Sequence, residues 1–260
     1  EAIFTLTGSE KKRREKSNGI LKNAYIAHRG LHDGKSIPEN SLGAINLAAK
    51  KGVVTEIDIR LSADGEVIVF HDDFADRLCG VHRRPEDMTL AEIKKLRLLG
   101  THERIPTLSE CLNVCGGRVP LLIEFKTAAH NGARLCRAAD RILSRYDGEY
   151  LVQSFYPSVL LWYRTHRADV PRGQLSSAYD GKIPRLRTLG ALLFRTAANS
   201  DFISLEYSWA TEAGFALLGK FGVPVIGWTF KSEKSLEKYA DFFDGYIFEG
   251  FIPKEAKHGE

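Results

Sequence analysis

Residues 24–72 read AYIAHRGLHDGKSIPENSLGAINLAAKKGVVTEIDIRLSADGEVIVFHD, and two short apolar runs here flank a helical pattern. The runs are Ala24–Ala27 and Val53–Ile59, and residues 42–49 place apolar side chains at the spacing of one helix face. A strand, a helix and a second strand in succession predict a parallel sheet that is covered by helices.

Local signals support this first unit. Pro38-Glu39-Asn40-Ser41 places a proline, an acid and a capping side chain at a helix start, and Asn40 is interpreted as the cap rather than as a ligand. Lys50 and Lys51 complement the carbonyl end of the helix, and Gly52 ends it.

A tight hairpin follows the second predicted strand. Asp64-Gly65 lies between Ile57-Asp58-Ile59 and Val67–Phe70, and an Asp-Gly pair between apolar runs is typical of a two-residue turn. This small insertion interrupts the alternation of strands and helices and brings His71 back to the end of the strand.

Groups suited to phosphodiester cleavage lie where these strands end. His28-Arg29-Gly30 follows the first apolar run directly, and His71-Asp72 follows the hairpin. A lone histidine is more often structural, but two histidines beside an arginine and several acids favour chemistry. Cleaving a phosphodiester needs an acid/base pair, a metal site and a cation for the phosphate.

Three carboxylates are predicted to converge. Glu56 and Asp58 are two apart on a strand and share a face, and Glu124 ends an otherwise apolar run. Such a group is typical of a Ca²⁺ or Mg²⁺ site rather than of zinc. The alternative is an internal salt-bridge network with Arg29 and Lys126, and the residues alone leave both hypotheses open.

The order and spacing of these motifs resemble the glycerophosphodiester phosphodiesterase family. The family pattern of HRG, PEN(S/T), E-x-D, a DG turn and HD is matched by His28-Arg29-Gly30, Pro38-Glu39-Asn40-Ser41, Glu56-Ile57-Asp58, Asp64-Gly65 and His71-Asp72. Looser matches follow at Ile105-Pro106-Thr107-Leu108, Ile123-Glu124-Phe125-Lys126, Ser154-Phe155 and Gly227-Trp228-Thr229. The resemblance extends from about Ala24 to the C terminus.

Interpreted with this resemblance, the apolar runs of the chain form eight strand–helix units. They predict an α/β fold, a TIM-type (β/α)8 barrel with a small hairpin insertion after the second strand. The other predicted strands are Leu121–Phe125, Tyr150–Gln153, Arg172–Leu175, Phe202–Leu205, Val223–Trp228 and Gly245–Phe248. Residues 1–23 are interpreted as an N-terminal arm and residues 24–260 as the barrel domain.

The resemblance also implies roles for the site residues. His28 and His71 would be the acid/base pair, and one divalent cation, Ca²⁺ or Mg²⁺, would bind the three carboxylates Glu56, Asp58 and Glu124. The expected substrate-binding residues are Arg29, Lys126, Trp228 and Phe155, and Glu39 is expected to orient His28, Arg29 or the metal.

One departure from the family pattern concerns the last strand. The family usually ends it with a Thr-Asp-x-Pro type sequence, whereas Phe248-Glu249-Gly250-Phe251 stands here. The far wall of the pocket, and with it the specificity for the alcohol, is therefore left open.

The activity implied by the resemblance is hydrolysis of small glycerophosphodiesters to sn-glycerol 3-phosphate and an alcohol. One alternative is a phospholipase D-like hydrolysis of lysophospholipids, which needs an acyl-chain groove or a membrane tether. Another is a binding barrel that has lost turnover, against which the intact set of histidines and carboxylates argues. The oligomeric state is left open.

Composition narrows the class of protein. In 260 residues, 43% are hydrophobic and 27% are charged, which is typical of a soluble globular chain. A net charge of +4 favours anionic ligands. The sequence has no long Lys/Arg tract of the kind that binds nucleic acid, so we expect no nucleic-acid partner. Cys111 and Cys115 could form half of a zinc site, but the second pair of ligands is missing. The four cysteines are therefore expected to be free thiols, and the expected compartment is reducing and cytoplasmic.

The basic segment Glu10–Lys16 (EKKRREK) precedes the predicted barrel. It is interpreted as a solvated helix or arm, and the alternative is a juxtamembrane stretch downstream of a trimmed anchor. No run reaches the roughly 18 apolar residues that span a bilayer. Met88 is the only methionine, so an upstream anchor or signal is left open.

Overall fold

Eight parallel strands form a closed barrel in the computed structural model of the chain, which describes residues 7–127, 131–177, 198–209, 215, 218 and 222–254. The strands, with the hairpin strand β3, are β1 (Ala24–Ala27), β2 (Val54–Leu61), β3 (Val67–Val69), β4 (Leu121–Phe125), β5 (Tyr150–Ser154), β6 (Arg172–Ser176), β7 (Phe202–Glu206), β8 (Val225–Phe230) and β9 (Gly245–Phe248). The barrel order is β1-β9-β8-β7-β6-β5-β4-β2, and β2 pairs with β1 to close it. The predicted (β/α)8 barrel is confirmed.

Helices connect the strands and cover the barrel. They are α1 (Gly8–Leu21), α2 (Leu42–Lys50), α3 (Asp76–Cys79), α4 (Leu90–Ile93), α5 (Leu108–Cys115), α6 (Gly132–Leu143), α7 (Pro157–His166) and α8 (Glu233–Tyr239). Short 3₁₀ turns occupy Pro85–Asp87, Leu98–Gly100, Tyr207–Trp209 and Ala240–Phe242. Within the described residues, no helix combines the length and the apolar composition that a membrane crossing requires.

The strand bounds differ from the predicted ones mainly at two strands. β2 extends to Leu61 because its last residues pair antiparallel with β3, with Ile59 opposite Val69. β8 begins at Val225 rather than Val223, because Pro224 has no backbone N–H to add to the ladder, and it continues to Phe230. The other predicted strands are right to within one or two residues.

The insertion after β2 is larger than its hairpin. Strand β3 is followed by α3, α4 and two 3₁₀ turns, all before α5. An apolar cluster of its own supports it, with Ile68, Phe70, Leu78, Met88 and Ile93 all buried. His71 leaves β3 at a fixed position, because the Phe70 N–H donates to the Asp58 carbonyl at 2.9 Å.

The barrel interior is packed at its N-terminal end. Inward residues of six strands form one buried cluster, which consists of Ile26, Leu122, Leu151, Phe202, Ile226 and Ile247, and Leu21 of α1 joins it. Gly173 is required by this packing, because a Cβ there would lie 2.0 Å from the Phe202 ring. The apolar plug leaves only the C-terminal end of the barrel open for polar groups.

Helix α1 closes the barrel at this N-terminal end. Arg13 is buried, its Nε lies 2.6 Å from Asp201 Oδ2, and its Nη1 donates to the Ala168 carbonyl at 2.9 Å. Asp201 also accepts from the Arg172 N–H at 3.1 Å. The prediction of a helix over Glu10–Lys16 is therefore right, but the prediction that it is solvated is wrong at Arg13. The division of domains at residue 23 stays a prediction.

Removing the buried guanidinium should destabilise the fold. In Arg13→Met, Asp201 keeps its buried charge without its ion-pair partner, so the free energy of unfolding should fall by about 3–5 kcal/mol. Urea denaturation measures this, with the exposed Lys12→Met as the matched control. Equal stability of the two variants would show that α1 does not anchor the barrel.

Candidate active site

A cavity of about 380 Å³ opens at the C-terminal ends of the barrel strands. Nine of the ten predicted site residues line it: His28, Arg29, Glu39, Glu56, His71, Glu124, Lys126, Phe155 and Trp228. The tenth, Asp58, is fully buried beside Glu56 and Glu124. Reactive groups gather at this end of such barrels, because side chains that follow the strands project into the mouth.

Three carboxylates converge in this cavity. Ligand oxygens of Glu56, Asp58 and Glu124 lie within 4.8 Å of one another, and all three residues are buried. The register explains the convergence, since Asp58 on β2 lies opposite Glu124 on β4 and Glu56 is two residues before Asp58 on the same face. The structure thus brings together the three carboxylates that the sequence predicted to converge.

The salt bridges of the alternative hypothesis are also present but incomplete. Lys126 Nζ lies 2.5 Å from Glu124 Oε1 and 3.4 Å from Asp58 Oδ1, and Arg29 Nε lies 3.3 Å from Asp58 Oδ2. Glu56 forms no ion pair with any described residue, and its buried Oε1 has no hydrogen-bond partner there. Among the described residues, Glu56 is therefore the one carboxylate of the three without an ion-pair partner.

The electrostatics of the group are unequal. Burial, together with the charges of Asp58 and Glu124, raises the pKa of Glu56 well above its usual range. Burial also acts to raise the pKa of Asp58, but the charges of Lys126, His71 and Arg29 outweigh it and lower that pKa. An all-oxygen, dry group with an uncompensated carboxylate fits a hard divalent cation.

Unusual backbone geometry positions this group. Arg29 and Asn40 both have positive φ, at 54° and 55°, a conformation that costs most residues roughly 1–2 kcal/mol. The positive φ of Arg29 lets its backbone N–H donate to Glu56 Oε2 at 3.0 Å. Gly30 follows at φ 80°, and a Cβ there would lie 2.8 Å from Ala44. The HRG motif is thus a turn that brings a backbone donor to a carboxylate.

Asn40 does not cap the helix, and the sequence-based prediction is wrong here. Ser41 is the N-cap of α2, and its side chain accepts from the Ala44 N–H. Asn40 instead donates from Nδ2 to Asp58 Oδ2 at 2.8 Å and accepts from the Asp58 N–H at 3.3 Å. The paired contacts fix the orientation of the Asp58 carboxylate.

Glu39 and Arg77 link Arg29 to the insertion. Arg29 Nη1 donates to Glu39 Oε1 at 2.6 Å, so Glu39 contacts Arg29, which is one of its three predicted partners. Arg77 on α3 donates to both Glu39 oxygens at 2.7 Å and to Asp72 Oδ2 at 2.8 Å. Arg77 is not among the predicted site residues, because it lies on a short helix outside every motif.

Each histidine faces a carboxylate. His71 Nδ1 lies 2.8 Å from Asp72 Oδ1, and His28 Nδ1 lies 2.8 Å from Glu249 Oε2. An ionised carboxylate only accepts hydrogen bonds, so Nδ1 is the donor in each contact and Nε2 is the ring nitrogen that does not contact the carboxylate. Burial lowers the pKa of His28 to about 4, in spite of the hydrogen bond to Glu249.

An aromatic pair forms one wall of the cavity. The Phe155 and Trp228 rings meet edge to face, with centroids 5.9 Å apart. Trp228 Nε1 is buried and has no partner among the described residues. Glu249 and Lys231 also line the cavity. The sequence placed Glu249 at the far wall of the pocket without a role, and Lys231 was not predicted, although each directly follows a strand, β9 and β8, and that position was a usable signal.

The sequence of the chain matches a known family. A profile of the Glycerophosphoryl diester phosphodiesterase family covers residues 28–252. The chain belongs to this family. Glycerophosphodiester phosphodiesterase 1 of Rattus norvegicus is 40% identical, over 90% of this chain and 80% of that protein. The Mus musculus protein of the same name is 36% identical over the same shares.

A solved structure is similar over almost the whole length. It is the Oleispira antarctica phosphodiesterase in complex with the product sn-glycerol-3-phosphate, with a TM-score of 0.79 and 25% identity. The match covers 93% of this chain and 97% of that one. A glycerophosphodiester phosphodiesterase of Thermotoga maritima shares the fold, with a TM-score of 0.70 and 23% identity.

The uncompensated carboxylate of this glycerophosphoryl diester phosphodiesterase family member should lower its stability without metal. In the presence of chelator at pH 7, Glu56→Gln should raise Tm by about 2–4 °C for each kcal/mol of relieved penalty. A raised pKa in the folded state destabilises the protein only at pH values above the pKa of the glutamate in the unfolded chain. The higher Tm of Glu56→Gln should therefore vanish below about pH 4. Scanning calorimetry measures both.

The exposed Glu66→Gln is the matched control for this comparison. The amide oxygen that Glu56→Gln introduces can still accept from the Arg29 N–H, so packing is preserved. A lower Tm for Glu56→Gln than for the control at pH 7 would mean that the protein's own cations already satisfy Glu56.

Proposed function

We propose that the chain hydrolyses glycerophosphodiesters to sn-glycerol 3-phosphate and an alcohol in a reaction that depends on a divalent cation. The observation that carries this is the convergence of Glu56, Asp58 and Glu124 in one cavity with two histidines, an arginine and a lysine. Family membership and the product bound to the Oleispira antarctica relative support the substrate class.

Glu56, Asp58 and Glu124 would hold the cation, and Ca²⁺ or Mg²⁺ fits their all-oxygen donor set. When bound, the ion supplies Lewis-acid polarisation of the phosphate and offsets its growing negative charge. Neutralising the three carboxylates would also free Lys126 and Arg29, which otherwise pair with them, to face an anionic substrate.

The phosphate would bind Arg29 and Lys126. Glu39 holds Arg29 through Nη1, which leaves the rest of the planar guanidinium to donate two parallel hydrogen bonds to phosphate oxygens. Lys126 lies 5.8 Å from the Phe155 ring centroid, so the phosphate and the aromatic wall are adjacent. Trp228 and Phe155 would contact the glycerol, with Trp228 Nε1 available to a hydroxyl.

The two histidines would move the protons. Nε2 of one ring accepts the proton of the nucleophile, which is water or the glycerol 2-hydroxyl, as that oxygen attacks phosphorus. Nε2 of the other ring, which enters this step as an imidazolium with a proton on both nitrogens, donates a proton to the alcohol oxygen as its bond to phosphorus breaks. Asp72 and Glu249 hold the opposite nitrogens, so both Nε2 atoms are the ones left for this work.

The reducing, cytoplasmic compartment expected from the sequence stays a prediction. Cys111, Cys115 and Cys136 are buried and Cys79 is partly buried, and none forms a disulfide. Cys111, Cys115 and Cys136 lie in one apolar cluster and Cys79 packs against another, so we propose no zinc site for them.

Release of sn-glycerol 3-phosphate tests the proposal. Purified protein should release it from glycerophosphocholine, chelator should abolish the release, and Ca²⁺ or Mg²⁺ should restore it, as measured by a coupled glycerol 3-phosphate assay. Lysophosphatidylcholine, the substrate of the alternative, should release little choline in a parallel choline assay, because its cleavage would give choline and lysophosphatidic acid rather than glycerol 3-phosphate. Full activity after complete removal of divalent cations would contradict the metal site.

The two histidines should behave as one unit. His28→Ala and His71→Ala should each lower kcat by roughly 10²–10⁴-fold, and the double variant should lose far less than the product of the two. A p-nitrophenyl diester of glycerol phosphate needs little protonation of its leaving group. It should rescue only the variant that lacks the general acid. Near wild-type kcat in either variant on the natural diester would refute the mechanism.

A further inference from the structure

Glu249 and His28 are held side by side by the main chain. Strands β1 and β9 pair in parallel, with Ala27 opposite Phe248, and each of the two residues directly follows its strand. The His28 N–H donates to the Phe248 carbonyl at 3.0 Å, and the Glu249 N–H donates to the Phe230 carbonyl of β8 at 2.9 Å. The carboxylate is therefore presented to the imidazole from a fixed backbone.

The side-chain contact is well formed. His28 Nδ1 and Glu249 Oε2 are 2.8 Å apart, and the two side chains are only 14% and 25% exposed. Within the described part of the chain, Glu249 is the hydrogen-bond partner of the His28 ring. Without Glu249, the neutral His28 ring could carry its proton on either nitrogen. A ring with its proton on Nε2 cannot accept another proton at that atom.

The second histidine has the same arrangement from a different origin. Asp72 holds His71 Nδ1 at the same 2.8 Å, but it is the adjacent residue in the chain, whereas Glu249 is 221 positions away from His28. The motif HD supplies one orienting carboxylate locally, and the end of the last strand supplies the other. Both rings then present Nε2 to the shared cavity.

We propose that Glu249 is the positioning residue of His28, fixing its ring orientation and its Nδ1–H tautomer for proton transfer at Nε2. This inference rests on the proposed function for its kinetic consequence, but the pairing itself is a property of the resting protein. The competing explanation is a purely structural contact that closes the seam between β1 and β9.

Glu249→Gln tests the proposal with little change in volume. Its amide can donate from NH₂ to Nδ1, which permits the wrong tautomer, so kcat on glycerophosphocholine should fall by about 10–100-fold with little change in KM. The exposed Glu237→Gln, which removes a distant ion pair to Lys254, should leave kcat unchanged. In a His28→Ala background, Glu249→Gln should have almost no further effect, because the group it positions is absent.

Nitrogen NMR of the imidazoles reads the tautomer without any turnover. Wild-type His28 should show a protonated Nδ1 and an unprotonated Nε2, and Glu249→Gln should shift it towards a mixture. Wild-type kcat in Glu249→Gln, an unchanged tautomer, or an equal loss in the His28→Ala background would each overturn the proposal. If wild type itself fails to cleave the diester, the proposed function fails, while the NMR comparison still decides the pairing.

Discussion

The constraint on which the site depends is the burial of three carboxylates at one end of the barrel, with too few cations to neutralise them. An apolar plug fills the other end, so the polar groups are confined to the mouth. Lys126 contacts Glu124 and Arg29 contacts Asp58, whereas the one hydrogen bond of Glu56 among the described residues is from the Arg29 backbone N–H. Burying charge is costly unless it is paired, so this arrangement favours either protonation of Glu56 or a further positive charge beside it.

A continuous series of ion pairs and hydrogen bonds links the barrel to its insertion. It runs from His71 through Asp72, Arg77 and Glu39 to Arg29, with donor–acceptor distances of 2.6–2.8 Å. His71 belongs to the insertion and Arg29 to the barrel, so this series sets the distance between the proton-transfer group and the phosphate-binding group. A partly exposed arginine outside every motif thus connects the two halves of the site.

Much of the fold could be predicted because its signals are local. Apolar runs of four to seven residues marked the strands, and the alternation of side chains along a strand placed Glu56 and Asp58 on one face. The closed barrel of eight strand–helix units was predicted from the family resemblance, because no single apolar run shows how the strands pair. Pro224 shows the limit of such runs, because Val223 has the right composition but β8 starts only after the proline.

The missed contacts are those whose partners are distant in sequence. Glu249 meets His28 across 221 positions, Arg77 meets Glu39 across 38, and Arg13 meets Asp201 across 188. Asn40 was misassigned for a related reason. A cap is a local hypothesis, and only the fold shows that its side chain reaches Asp58, so that Ser41 takes the capping position.

Isothermal titration of the metal-stripped protein with Ca²⁺ and with Mg²⁺ tests the central claim most directly. The account predicts saturable binding of one ion per chain, and loss of that binding in Asp58→Asn, whose amide cannot replace the buried charge at the centre of the group. Absence of binding in wild type, or undiminished binding in Asp58→Asn, would contradict the claim that the carboxylates of the barrel mouth form a cation site.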